Sequence, residues 1–298
     1  MKFVSAAKFY KADVIILGGD ITGKMIVPIL TQPGGGYLYE FFGERKTISS
    51  DSELETVEKN IRNMGYYACV MGQSEAEALR SDQSKLDDLF SRLMIESVRS
   101  WIKILESRLR DTETKCFISP GNDDRLAIDE VLNASDCVVN PEDRVVEIDS
   151  HHEMISSGWS IPTPWNSPRE CGEEELEAKI ESMASKVKEM KSCVFNLHCP
   201  PFNSVIDEAP QVDFNLKPVV SGGQMIMAPA GSKSVRKSIQ MHQPLLGLHG
   251  HIHESRGMRK LGATLCLNPG SEYTEGILRG AIVNLNEKGI MSHLFVSG

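Results

Sequence analysis

Asp13-Val14-Ile15-Ile16-Leu17-Gly18-Gly19-Asp20 is the stretch on which the reading of this chain turns. Its apolar run carries no polar residue on either face, the pattern of a strand covered on both sides. Gly18-Gly19 ends the run and Asp20 follows, so a carboxylate is delivered at the end of a buried strand. Strand-end loops are where α/β folds place ligands, because the rigid sheet fixes side chains on otherwise free backbone.

The same arrangement recurs three times further along. A β-like run at 115–118 leads into Pro120-Gly121-Asn122-Asp123. Another at 193–197 leads into His198-Cys199-Pro200-Pro201, and a third at 245–248 leads into Gly250-His251-Ile252-His253. Strands are also predicted at 144–148, 264–267, 281–285 and 291–296. Between them, 74–110 reads as mostly helical, with Leu79, Leu86, Leu89, Leu93, Ile95, Val98, Ile102, Leu105 and Leu109 at three- and four-residue steps. That stripe fits a core or a dimer face, and 173–191 reads as a second amphipathic helix. The segment 37–51 reads as loop or an irregular excursion. The alternation predicts an α/β fold. The preferred partition is one domain over 1–298 with a helical insertion at 73–112, and the alternative is two domains divided near Gly72.

Composition limits the rest. The chain has 298 residues, 41% hydrophobic and 24% charged, which is ordinary globular usage. No apolar run reaches the roughly 18–20 residues of a membrane span, so no membrane partner is expected. The net charge of −9 argues against a protein that coats nucleic acid through bulk positive charge. Seven scattered cysteines without a CxxC pair read as reduced thiols, so a cytoplasmic location is expected. The N-terminal apolar stretch is too short for a signal peptide and is broken by Lys8, Lys11 and Asp13.

The four strand-end motifs bring one carboxylate, one amide and several imidazoles, donors that suit Mn, Fe or Zn rather than a thiolate site. Each motif alone also fits a turn, a cap or a packed histidine. Four of the eight histidines (242, 249, 251 and 253) fall within twelve residues, which makes the last motif the strongest. On a fully extended strand His251 and His253 would share a face.

In order and strand-end placement these blocks resemble the calcineurin-like metallophosphoesterase family, whose blocks are Asp-x-His, Gly-Asp, Gly-Asn-His-Asp/Glu, a later His and Gly-His-x-His. Here they are matched by Gly19-Asp20, Gly121-Asn122-Asp123-Asp124, His198 and Gly250-His251-Ile252-His253. The stretches ADVIILGGDITGK, NLHCPP, GLHGHIHES and LNPGSEYTEGILRGA look like a prokaryotic branch of that family, and the likeness runs from Ala6 to the C-terminus. The resemblance implies a four-layer α/β/β/α sandwich of mixed sheets. It implies that Asp20 bridges two metal ions, that Asn122, His198 and His251 complete the second site, and that His253 serves the first. Asn122, His198 and Asp123 would carry the catalytic duties. The implied activity is hydrolysis of a phosphate ester, mono- or diester, by metal-activated water. The implied substrate is a small phosphate ester or a nucleotide. Two divalent ions would also offset the negative protein charge where a phosphate sits. Whether the chain forms a homo-oligomer stays open.

The likeness is incomplete in two places. No Asp-x-His block precedes Asp20, and the nineteen residues before it contain no histidine. Either a strand bearing that block precedes Met1, with Phe3–Phe9 as the helix that follows it, or the protein is a one-metal or inactive relative acting as a binding or regulatory module. The first alternative is preferred, and it predicts an exposed apolar edge near Val14–Leu17. The second departure is Asp123, at the place where the family carries a histidine. Nearby cations would keep its carboxyl ionised, so Asp123 is expected to orient Asn122 or a histidine rather than donate a proton.

Other features read as structural or ambiguous. Gly231-Ser232 and Arg236 open a helix that would bind an anion or simply be capped. Arg169 would touch substrate or pair with a carboxylate. His249 is expected to pack behind the site, and His151, His152 and His242 to lie at the surface.

Overall fold

The computed structural model describes residues 2–298. In chain order the first part comprises α1 (Lys2–Tyr10), β1 (Val14–Gly18), β2 (Ile26–Thr31), β3 (Tyr37–Phe41), β4 (Glu44–Ile48), α2 (Asp51–Asn63), β5 (Tyr67–Met71), α3 (Gln73–Ser81) and α4 (Gln83–Leu109). It continues with β6 (Lys115–Ser119), α5 (Ile128–Asn133), β7 (Val145–Glu147), β8 (Glu153–Ser157), α6 (Glu173–Ala184) and β9 (Val194–Leu197). The last part holds β10 (Glu208–Pro210), β11 (Val220–Ser221), β12 (Gln224–Met225), β13 (Met227–Pro229), α7 (Lys233–His242), β14 (Leu246–Leu248), β15 (Gly257–Leu261), β16 (Thr264–Asn268), β17 (Arg279–Asn286) and β18 (Gly289–Ser297). The chain is a mixed α/β protein. No helix among the described residues is long and apolar enough to cross a membrane.

The chain divides into two compact units. The larger holds residues 1–21, 102–272 and 277–298, and the smaller holds 22–101 with 273–276. In the larger unit a six-stranded sheet runs β15-β16-β14-β9-β8-β7. Its four inner strands are parallel and its two edges antiparallel. Both faces are covered, which is why apolar residues on the inner strands are buried on either side of the sheet, with Ser156, Asn196 and Asn268 among them. On one face Ile155, Phe195, Leu197 and Cys266 pack with Leu176 and Ile180 of α6 and Val235 and Ile239 of α7. On the other, Met154, Val194, Leu246 and Leu265 pack with Phe117 of β6, Val14 and Ile16 of β1, and Val283 and Phe295 of the β17–β18 hairpin.

Strand β1 pairs in parallel with β6, from Val14↔Lys115 to Gly18↔Ser119. Among the described strands β6 is its only neighbour, so one backbone edge of β1 is open. Its side chains are not laid bare, however. Ile15 is buried, and Val14, Ile16 and Leu17 are half-buried. The expected edge is therefore a backbone edge rather than an apolar surface.

The smaller unit is built on a four-stranded sheet, β4-β3-β2-β5, with β2 and β5 parallel. Val27, Ile29, Ile48 and Ile61 form one cluster, and Met71, Ala76 and Leu89 another. The region 37–51, expected to be irregular, is a regular hairpin followed by the start of α2. Its two-residue turn is Phe42-Gly43, both in the left-handed region at φ 52° and 75°, which matches the twist of paired strands. Ser50 caps α2 by accepting from the Glu53 N–H, while Glu53 accepts from the Ser49 N–H.

The predicted helical stretch is two helices. Asp82 interrupts it, its carboxylate accepting from the N–H groups of Ser84 and Lys85 at the start of α4. Leu89, Val98, Ile102, Leu105 and Leu109 are buried, so the apolar stripe is largely core. All seven cysteines are free.

Candidate functional site

The four motif loops leave the C-terminal ends of two pairs of parallel neighbours, β1 with β6 and β9 with β14. All four lie in the larger unit. Two glycines let the first two loops meet. A Cβ on Gly121 would fall 2.2 Å from the Asp20 N and 2.3 Å from its Oδ1. One on Gly19, at φ 114°, would fall 2.5 Å from His198 Nδ1. No side chain fits either place.

The side chains of Asp20, Asn122, His198 and His251 converge. Asn122 Oδ1 sits between His251 Nδ1 at 2.8 Å and His198 Nε2 at 3.0 Å, and Asp20 Oδ2 is 3.3 Å from the same His198 nitrogen. One ligand atom from each of Asp20, His198 and His251 lies within 4.8 Å of the others. The Asn122 amide is oriented by its other end, where Nδ2 donates to Asp123 Oδ1 at 3.3 Å. Asp123 in turn accepts from Ser167 Oγ at 2.5 Å, and its N–H donates to Asp20 Oδ1 at 3.0 Å.

This geometry sets a proton problem. His198 Nδ1 lies 2.8 Å from the Gly18 carbonyl, which can only accept, so that nitrogen carries a proton. The neutral ring then aims the Nε2 lone pair at an amide oxygen and a carboxylate. Lone pairs converging in the interior are reconciled by a proton or by a cation. Burial is the largest influence on His198 and would lower its pKa, but the charge and hydrogen bond of Asp20, with the Gly18 carbonyl, outweigh it and leave the pKa raised. His251 moves the other way. Burial first and the nearby His198 second bring its pKa down to about 4, so it is a neutral imidazole at pH 7. Asp20, His198 and His251 thus form a possible metal-binding triad, with the Asn122 amide oxygen beside it.

Asp20 and His251 both hold left-handed backbone, at φ 52° and 64°. The His251–His253 segment is therefore a turn after β14 and not an extended strand, which corrects the shared-face expectation. His253 is half-buried on that turn, its carbonyl accepting from the Ser271 N–H, and its ring lies outside the convergent set. Two non-glycine residues in this region cost about 1–3 kcal/mol each, and such strain gathers at functional sites.

Several residues that hold the loops escaped the sequence reading. Asp124 is fully buried, and its Oδ2 accepts from the N–H of Gly121 at 2.7 Å and of Ile21 at 3.1 Å, stitching the Asp20 and Asn122 loops together. Asn268 donates to the carbonyls of Gly250 and Ile252 and so clamps the His251 turn. Asn196 donates to Ser119 and Ser156 Oγ, linking β9 to β6 and β8. The signal for Asp124 was its place as a second carboxylate after Gly-Asn. For the two asparagines it was a polar side chain in an otherwise apolar strand.

The ambiguous residues are resolved as structural. Arg169 is 1% exposed and donates to Asp129 Oδ1 and to the carbonyls of Asp124 and Arg125. His249 packs between strands, with Nδ1 2.8 Å from the Leu197 carbonyl and a pKa brought down to about 4 by burial. His151 is exposed as expected. His152, expected at the surface, is buried against Asp149, and His242 pairs with Glu181. The start of α7 is closed to anions, because the Glu173 carboxylate accepts from Ser232 Oγ and from the N–H groups of Lys233 and Ser234.

No family model matches the chain. Over 152 residues it is 33% identical to the uncharacterized protein MJ1162 of Methanocaldococcus jannaschii, covering 50% of this chain and 61% of that protein. The chain thus spans about three-fifths of that relative's length. Among solved structures, TT1561 of Thermus thermophilus is similar at a TM-score of 0.39 and 14% identity, over 85% of this chain and 92% of that one. A second solved chain reaches a TM-score of 0.48 at 16% identity, over 91% and 94%.

Proposed function

We propose that the protein is a metal-dependent phosphoesterase of the calcineurin-like kind, acting on a phosphate mono- or diester. The observation that carries this reading is the placing of Asn122 Oδ1 between two imidazole nitrogens, with an Asp20 carboxylate oxygen beside them. Asp20, Asn122, His198 and His251 would hold a divalent cation. Such an ion supplies charge to grip phosphoryl oxygens and lowers the pKa of a coordinated water.

The chain's own residues do the positioning. Gly18 fixes the His198 tautomer, Asp123 fixes the Asn122 amide, and Asp124 holds the two carboxylate loops in register. A four-layer α/β/β/α sandwich, a location in the cytoplasm and a small phosphate-ester or nucleotide substrate belong to the same reading.

A second reading, a metal-binding module without turnover, is favoured by one observation: His253 stands outside the convergent group, which leaves one cluster of donors among the described residues. Elemental analysis after Mn²⁺ loading, followed by hydrolysis of a chromogenic phosphodiester with Asp20→Ala as control, separates the two. Metal bound with Asp20-dependent turnover supports the enzyme. Metal bound without turnover supports the module, and no metal overturns both.

A further inference from the structure

Resting on the phosphoesterase reading, we infer that Trp165, with Leu126 beside the same loops, forms a subsite for the organic part of the substrate, and that this part is a planar aromatic ring system. The loop 163–170 is pinned at many points. Glu170 Oε1 accepts from Thr163 Oγ1 at 2.5 Å and from the Ser167 N–H at 3.0 Å, while Thr163 Oγ1 accepts from the Trp165 N–H at 3.2 Å. Arg169 fastens this loop to the metal-donor loop, its N–H donating to the Asn122 carbonyl at 3.0 Å and its Nε to the Asp124 carbonyl at 2.9 Å.

Trp165 is nonetheless 63% exposed, and Leu126, two residues beyond Asp124, is 57% exposed. Single exposed apolar side chains are ordinary, but these two stand on loops stitched to each other and to the candidate metal donors. Trp165 is two residues from Ser167, whose Oγ is 2.5 Å from Asp123. Two residues span at most about 7 Å of backbone, so an indole there is within reach of a ligand whose phosphate sits on the donors. A tryptophan held on a rigid loop stacks on a ring with little ordering cost, and any base or aryl group offers a π-face. An alkyl ester offers none.

The test uses the full chain loaded with diamagnetic Zn²⁺, with Trp101→Phe and Trp159→Phe leaving Trp165 as the sole indole. Adenosine 5′-monophosphate and phenyl phosphate are titrated against glycerol 3-phosphate. Quenching of Trp165 emission by the two aromatic ligands and not by the alkyl one is expected, with the stronger of the two showing whether a base or an aryl ring fits best. Quenching by none overturns the subsite. In turnover, Trp165→Ala is expected to lower kcat/KM for an aromatic ester about tenfold more than for an alkyl ester, through KM, with Trp165→Phe recovering most of the difference. Leu126→Ala is expected to give a smaller loss of the same kind. Equal losses for both esters make the loop merely structural and overturn the inference while the phosphoesterase reading stands. Aromatic-selective quenching without turnover of any ester upholds the subsite and defeats the enzyme.

Discussion

The donor cluster and the start of α7 are both places where polar groups crowd into the larger unit, and they differ in what they leave unsettled. At α7 the books close: Glu173 accepts from two N–H groups and a hydroxyl, and Ser232 caps the Val235 N–H. Nearby, Asp207 likewise accepts from the N–H groups of Asn203, Ser204 and Gly231. At the donor cluster acceptors face acceptors, and one added proton on His198 or one cation is needed to reconcile them. A polar knot of donors with acceptors is scaffolding. A knot that has too few donors unless His198 takes a second proton is a candidate binding site.

The contrast breaks most directly by removing its centre. Asp20→Ala or Asn122→Ala is expected to weaken divalent-metal binding by about 100-fold or more, on the order of the loss when a ligand or its orienting partner goes. Calorimetric titration of the purified variants checks this, and unchanged affinity would place the ion elsewhere.

Gly121→Ala comes next. Its methyl group would overlap Asp20, so the Asp20 and Asn122 loops must part, with a loss of about 1–3 kcal/mol typical of overpacking. Metal affinity should fall with it, and a variant with wild-type Tm and affinity would refute the close approach.

The proton on His198 sharpens the comparison through pH. A cation must displace it, so metal uptake should release a proton and weaken as pH falls through the raised His198 ionisation. Titrations in buffers of different ionisation enthalpy read the proton directly.

Glu142 tests the same logic away from the donors. Burial first, then Asp143, pushes its carboxyl from the usual 4.5 up to about 8, against the Gly158 N–H and Arg169. Between those values the native chain holds a proton that the unfolded chain has released, so stability falls as pH rises from about 4.5 to about 8. The slope approaches about 1.4 kcal/mol per pH unit for a full proton. Glu142→Gln should flatten that part of the pH–stability curve, and denaturant melts across the range measure it.

The smallest effect belongs to the closed knot. Glu173→Ala should cost about 1–2 kcal/mol of stability through the lost α7 contacts, with metal affinity unchanged.

The parts of this molecule that were legible in the sequence are those set by short-range pattern. The run from Val14 to Leu17, the runs before Asn122, His198 and His251, and the helical stripe through Leu109 all form elements near their expected places. The hairpin at 37–48 was missed because its turn, Phe42-Gly43, puts an aromatic residue where Asn or Asp is the usual sign. The left-handed His251 was missed because sequence spacing carries no backbone sign. Asp124 and Asn268 act on backbone groups far along the chain, and no local pattern encodes such partners.

The chain leaves the larger unit after Ile21 and returns at Ile102, yet Asp20 and Asn122 must meet through Gly19 and Gly121. Closing a loop of that length opposes early docking, and the remaining donors come still later in synthesis. If the cluster holds an ion, a nascent chain would not complete the donor set until β14 has joined the sheet. Metal retention would then serve as a certificate of finished folding, and a destabilised variant should lose its ion before it loses its secondary structure.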